Sequence, residues 1–336
     1  MSKGILSVTV VLGTAFMTGL SSAAVLAADI KPAIIYDLGG KFDKSFNEGV
    51  FNGAQKFKAD TGIDFRDFEI QNDAQREQAL RKFATDGFSP IVAVGFSQAT
   101  ALTKVADEFP NTKFAIIDMV VEKPNVQSVV FKEQEGSFLV GILAAKASKT
   151  GKVGFVGGMD IPLIRRFACG YVQGVKFANA KAEVIQNMTG TTAAAWTDPV
   201  KGGELAKSQI SQGADVVYHA AGGTGVGVLR AAADAGKLGI GVDSNQNGLF
   251  PGKVLTSMLK RVDNATYKVF ADAKSDTWKA GFSVLGLKEG GVGFAMDDNN
   301  KALVSPEAKT AVDKAAADII AGTLQVHDYM EDQKCP

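Results

Sequence analysis

Histidine and cysteine are nearly absent from this chain, with two of each in 336 residues. Neither Cys169 nor Cys335 has neighbours at metal-ligand spacing, which argues against a zinc or iron site built on them. Histidine-based acid–base chemistry has only His219 and His327 to draw on. An excess of one charge sign is missing too, because 36 basic residues balance 36 acidic ones. A mixed chain of this kind has no basic stripe for nucleic acid and no footprint for an anionic membrane, so the partner is expected to be small or protein-like. Beyond the N-terminal segment no apolar run is long enough to span a bilayer. There is no long Pro/Ser linker, no low-complexity tract and no strict repeat.

The N-terminus reads as a secretory signal over residues 1–27. Lys3 is the only charge before Asp29, residues 4–20 are apolar or small, and Val25-Leu26-Ala27 fits the small-residue cleavage rule. No cysteine stands near that point to carry a lipid, so the mature chain is expected to be free in the periplasm. Removing Lys3 leaves 35 basic residues against 36 acidic, a formal net charge of −1. An oxidising compartment permits a disulfide. Cys169 and Cys335 either bridge and pin the C-terminal tail, or stand as a small core residue and a stray tail thiol.

From Ala28 onward the chain is too long for one domain of about 100–200 residues and comfortable for two. Short apolar runs at Pro32–Tyr36, Pro90–Gly95, Phe114–Ile117, Val153–Val156, Val216–His219, Gly239–Val242 and Val254–Met258 read as strands. Helical stretches stand between them at Phe46–Thr61, Gln75–Thr85, Ala99–Glu108, Gly136–Ala147, Ile164–Ala178, Pro199–Gln212 and Val226–Ala235. Continuous rather than alternating apolar strands predict an α/β fold with parallel sheets covered on both faces. A charged segment leading into an apolar helix at Phe131–Gly141, and a composition break near Ser257–Arg261, suggest two lobes. We expect residues 28–131 with about 258–288 in one lobe and 132–257 with about 289–336 in the other.

Ligands bind outside the carboxyl ends of strands in open parallel sheets. The informative positions are therefore Asp37–Asn47, Gly95–Gln98, Asp118–Val120, Gly157–Asp160, Gly222–Gly227, Asp243 and Ser257–Lys260. Three strings there point elsewhere and fail on detail. Gly222-Gly223-Thr224-Gly225-Val226-Gly227 resembles a dinucleotide fingerprint, but its third glycine should stand at Val228. Its backbone N–H groups, at Gly222 and Gly223, still suit polar ligand atoms. Asp243–Gly248 opens like a calcium loop, but Val254 stands where the bidentate glutamate belongs. Gly95-Phe96-Ser97-Gln98-Ala99 ends in Ala rather than Gly for a nucleophile elbow, so Ser97 is read as a helix N-cap or a ligand hydrogen-bonder.

What remains is a placement of aromatic rings and carboxylates. Phe46 enters a helix after a glycine-bearing loop, and Trp196 precedes the Pro199 helix; each is either a cleft wall or a core residue. Asp37, Asp118 and Asp243 each end a strand, where a carboxylate either accepts from ligand hydroxyls and N–H groups or caps a helix. Asn47 follows Phe46, and Lys260 ends another strand, where it balances the carboxylates or lies at the surface. No cofactor is expected, and nothing calls for a second subunit, so a monomer is expected.

Five segments carry a resemblance: "DLGGKFDKSFNEGVFNGAQKF", "FAIIDMVVEKPNVQSVVFKEQEGSFLVGILAA", "GGMDIPLIRRFACGYVQGVKFAN", "WTDPVKGGELAKSQISQGADVVYHAAGGTGVGVLRAA" and "IGVDSNQ" followed by "VLTSMLKRVDNA". In this order they resemble the basic membrane protein family, the substrate-binding components of nucleoside-type ABC importers. The resemblance covers nearly the whole mature chain. It implies the type I periplasmic-binding-protein fold with a three-segment hinge, a purine nucleoside or related base in the cleft, and delivery to a membrane permease. The family's stacking Phe falls on Phe46, the acid before the loop on Asp37, the acid after "FAII" on Asp118, the ribose-binding acid on Asp243, and the lysine of the S-x-x-K segment on Lys260. The second stacking aromatic is assigned to Trp196. Many members carry a lipid-bearing cysteine at the cleavage site that this sequence lacks. The alternatives kept open are a sugar or autoinducer as ligand, a sensory module that presents its ligand to a membrane receptor, and a periplasmic nucleoside-processing enzyme.

Overall fold

The computed structural model describes residues 29–336 together with positions 1, 4, 5 and 7. Apart from those four positions the expected signal segment, with its cleavage point, lies outside the described residues.

The first part of the chain alternates strand and helix: β1 (Ala33–Tyr36), α1 (Phe46–Thr61), β2 (Arg66–Glu69), α2 (Ala74–Thr85), β3 (Ile91–Val94), α3 (Ala99–Glu108), β4 (Phe114–Ile117) and β5 (Val126–Phe131). A second run follows as α4 (Glu133–Ala147), β6 (Lys152–Met159), α5 (Pro162–Ala178), β7 (Glu183–Gly190), α6 (Pro199–Ser211), β8 (Val216–Ala220), α7 (Gly225–Asp234), β9 (Leu238–Asp243) and β10 (Val254–Lys260). The chain then returns with α8 (Val262–Lys274) and β11 (Gly281–Leu285), and finishes with β12 (Val292–Phe294), α9 (Pro306–Ala321) and α10 (Tyr329–Asp332).

Two six-stranded sheets result, in the orders β11-β5-β4-β3-β1-β2 and β12-β10-β9-β8-β6-β7. Every pairing is parallel except β10 with β12. β1, β3 and β4 are buried at every residue, because helices cover both sheet faces and leave no side for water. Helix α1 buries Val50, Ala54 and Phe57 at helical spacing against α8 and the first sheet. Local chemistry sets the helix ends. Asp198 and Ser305 accept from Lys201 and Ala308 backbone N–H groups, each just before a proline at the first helical position.

Between the sheets the chain crosses three times, after Phe131, after Lys260 and after Leu285, and the crossing segments are bonded side by side. Lys132 N donates to Leu285 O at 3.1 Å, Leu287 N to the Glu135 carboxylate at 2.8 Å, and Arg261 N to Gly291 O at 2.8 Å. Cys169 on α5 and Cys335 are joined in a disulfide with their Cα atoms 5.4 Å apart, which settles the two alternatives left by the sequence.

Candidate ligand-binding site

The carboxyl ends of both sheets face each other across a cavity with about 630 Å³ of empty space including its opening. That size falls in the range of small-molecule sites. The first lobe contributes Asp37, the loop 38–47, Gly95, Phe96 and Asp118; the second contributes Leu163, Ile164, Phe167, Trp196, Ala220, Gly222, Gly223, Val242, Asp243 and Lys260. Of the ten residues singled out in the sequence, nine line this one space; Ser97 does not. Its hydroxyl donates to Asp37 Oδ2 at 2.7 Å, so it is neither a helix N-cap nor a cavity-lining group. Nor can it pair with His219 as a base. His219 is fully buried, its Nε2 is 2.9 Å from Gln246 Oε1, and burial lowers its pKa to about 4.

Asp37 is more firmly committed to the protein than the sequence suggested. Oδ1 accepts from Arg76 Nη1 at 2.7 Å and from Leu38 N at 2.8 Å, and the Ser97 hydroxyl holds Oδ2. Arg76 is buried on α2, and no periodic signal marked it. Asp43 was also missed. It accepts from the backbone N–H groups of Ser45, Asn47 and Glu48, which caps α1 and sets the direction in which Phe46 and Asn47 project. Asn47 Nδ2 donates to the carbonyls of Asp37 and Gly40, leaving its buried Oδ1 without a protein donor.

Asp118 and Asp243 end β4 and β9, and both adopt the left-handed backbone conformation, with φ of 73° and 62°. Aspartate tolerates this region better than most residues, and such outliers cluster at functional sites. Asp118 Oδ2 accepts from Lys260 Nζ at 2.7 Å, whereas its buried Oδ1 has no protein donor. Burial pushes the carboxyls of Asp118, Asp243 and Asp43 up to about 6 in each case, against the opposing pull of Lys260 or of backbone N–H groups.

Lys260 is 3% exposed. Its ammonium lies 5.1, 5.2 and 5.5 Å from the ring centres of Phe46, Phe131 and Phe167, and 2.9 Å from Glu133 Oε1. Although burial opposes its charge, Asp118, Glu133 and Asp243 hold it protonated well above the ordinary lysine range. The surface-lysine alternative therefore does not apply. Glu133 went unread because it lies in the charged crossover rather than at a strand end.

Phe46 is a partly buried wall that packs on the core from behind. Trp196, in a short 3-10 turn before α6, forms another wall, and its indole lies directly over Gly158, where a Cβ would run into the six-membered ring. Across the lobes Ser45 donates to Asp243, Ser244 Oγ to Ser45 O at 2.8 Å, and Gln246 Nε2 to Lys44 O at 2.9 Å, so the cleft is shut. The calcium-like string forms a turn in which the Asn245 and Asn247 amides donate to Asp297.

Two α/β lobes on a three-segment connection, closed over an aromatic and acidic cavity, define a substrate-binding protein of the type I periplasmic-binding-protein fold. PnrA-like ABC transporter substrate-binding proteins, the Bmp family, match residues 30–328, and the chain belongs to that family. The ABC transporter nucleoside-binding protein BmpA of Lactococcus lactis subsp. cremoris is 32% identical over 95% of this chain and 95% of its own. Basic membrane protein A of Borreliella afzelii is 32% identical over 86% of this chain and 89% of its own. A lipoprotein of Pyrococcus furiosus is 33% identical over 86% and 76%. Among solved structures, an ABC transporter solute-binding protein from Aeropyrum pernix K1 shares 31% identity at a TM-score of 0.82, covering 88% of this chain and 92% of that one. The arabinose-binding protein AraP of Geobacillus stearothermophilus, at 12% identity and a TM-score of 0.61 over 83% of this chain and 100% of that one, shares the fold alone.

Proposed function

We propose that this protein captures a purine nucleoside or a related nucleobase compound in the interlobe cleft and delivers it, unaltered, to an ABC permease. The observation that carries this reading is a pair of buried acceptors beside the Phe46 wall, Asp118 Oδ1 and Asn47 Oδ1, which find no donor among the described residues. They suit the N–H groups of a flat ring, and an aromatic face adds roughly 1–3 kcal/mol per stacked base. Asp243, from the other lobe, suits ribose hydroxyls. Four aspartates and one lysine line the cavity, and that lysine is already neutralised by Asp118 and Glu133. Such a site disfavours a phosphorylated ligand, so a nucleoside fits and a nucleotide does not. Leu163, Ile164, Phe167, Ala220 and Val242 supply apolar walls that a wholly polar sugar would leave poorly covered. The Lactococcus relative is named for nucleoside binding, which supports the same class.

In this reading residues 28–131 with about 258–288 form one moving body and 132–257 with about 289–336 the other, the second boundary moving to about 260 because β10 pairs within the second sheet. A ligand that bridges them favours the closed state by its differential affinity for it. The protein acts outside the cytoplasm as a monomer. Thermal-shift measurements with inosine, adenosine, guanosine, free bases and neutral sugars test the assignment. Stabilisation by a purine nucleoside or base is expected, and a response to sugars alone would refute it. Release of free base from inosine, followed by chromatography, would instead make the protein an enzyme.

A further inference from the structure

We infer that the C-terminal tail is a positioning element for the ligand cleft, acting through Arg166 and Glu133 on Lys260. Helix α5 carries two different faces. Ile164 and Phe167 line the cavity, whereas Arg166, Cys169 and Gln173, at three- and four-residue spacing, hold the tail. The tail is latched at all three points. Asp328 takes the Arg166 guanidinium bidentately at 2.8 and 2.9 Å, Cys335 is bonded to Cys169, and Gln173 exchanges hydrogen bonds with the His327 backbone at 3.0 and 2.9 Å.

From Arg166 an alternating run of charges leads inward. Arg166 Nη1 donates to Glu133 Oε2 and to the carbonyl of Phe131 in the first crossing segment, both at 2.9 Å. Glu133, fully buried, reaches Lys260 Nζ at 2.9 Å, and Lys260 holds Asp118 Oδ2 at 2.7 Å. Two carboxylates thus compete for one ammonium, and Arg166 supplies the second cation that satisfies Glu133. Without it Glu133 draws Lys260 away from Asp118, and Asp118 loses both its orientation and the charge that keeps it ionised. Arg166 and Asp328 do not line the cavity, and Glu133 is the ionic link that joins them to Lys260.

This inference rests on the nucleoside reading for its first measurement, which is inosine affinity by calorimetry between pH 5 and pH 8. Arg166→Met should weaken binding about tenfold and Asp328→Asn a few-fold, with the acidic limb of the affinity profile moved to higher pH. In a Glu133→Gln background the further effect of Arg166→Met should fall below about twofold, because the intermediary is gone. Unchanged affinity and pH profile in both variants, or an undiminished Arg166→Met effect in the Glu133→Gln background, would overturn the inference. If the wild-type protein binds no nucleoside, the ligand assignment fails separately. The relay is then read without ligand from the rate of reductive methylation of Lys260, followed by mass spectrometry. That rate should rise several-fold in the folded Asp328→Asn protein, and an unaltered rate would dismiss the relay.

Discussion

Replacing Lys260 by methionine keeps most of the side-chain volume and removes the one cation that, among the described residues, lines the cleft. In the wild type this ammonium lies 2.7 Å from Asp118 Oδ2 and 2.9 Å from Glu133 Oε1, inside a cage of three phenylalanine rings. Breaking a buried ion pair from one side leaves uncompensated charge and costs about 3–5 kcal/mol. For a chain of this size that corresponds to a melting point lower by about 5–8 °C. The deficit must depend on pH in a fixed direction. Asp118 and Asp243 already titrate at about 6 in the folded protein, above the ordinary 3.8, and loss of Lys260 raises them further. A carboxyl whose folded value is raised binds its proton more tightly when folded. Its destabilising effect is therefore absent below the unfolded value and complete above the folded one. The deficit of Lys260→Met should accordingly be largest at pH 8 and shrink markedly by pH 5. Thermal unfolding followed by circular dichroism at four pH values measures it. Equal deficits at pH 5 and pH 8, or no deficit at all, would refute the account of the cage as an ion-pairing site.

Phe46→Ala should weaken nucleoside binding by one stacking contact, roughly 1–3 kcal/mol, with Phe46→Tyr close to wild type in the same titration. In the proposed complex inosine affinity should fall between pH 7 and pH 5, because Asp118 and Asp243 are the stronger acceptors when ionised and take up protons around pH 6. Ligand donors lower these carboxyls in the complex, so the affinity is present above the free-protein value and lost below it; a flat profile contradicts this. Opening the Cys169–Cys335 bridge, which spans 166 positions, should cost about 2–5 kcal/mol. Melting curves with and without a reductant check this, and coincident curves would show that the bridge contributes nothing to stability.

Strands buried on both faces were legible because their apolar runs are unbroken: Phe114–Ile117 was read to the residue, and β1, β3 and β8 within a residue or two. Edge strands were not. In β2, Arg66-Asp67-Phe68-Glu69 alternates exposed and half-buried positions, β7 intersperses Val184, Ile185 and Met188 with polar residues, and β11 leaves Phe282 and Val284 exposed, for the same reason: one side has no neighbouring strand. β5 was missed although it is internal, since Gln127 and Ser128 interrupt its pattern. The cavity's principal acids and rings were legible because strand ends in a parallel sheet are few. Glu133, Arg166 and Arg76 were not, because nothing in local sequence shows which charged residue of a helix will be drawn inward by a distant partner. Asp43 sat in a loop already singled out, yet its capping of α1 hid its place in the wall.

The left-handed backbone at Asp118 and Asp243 narrows how this protein can diversify. With φ near +60 to +75°, a residue with a branched β-carbon is strongly disfavoured and an ordinary side chain costs about 1–2 kcal/mol, whereas aspartate, asparagine and glycine are tolerated best. A directed-evolution library that randomises these two positions will lose stability in most of its members. New preferences are better sought at Leu163, Ile164 and Ala220, whose helical or extended backbone imposes no left-handed strain and which contour the cavity rather than anchor it.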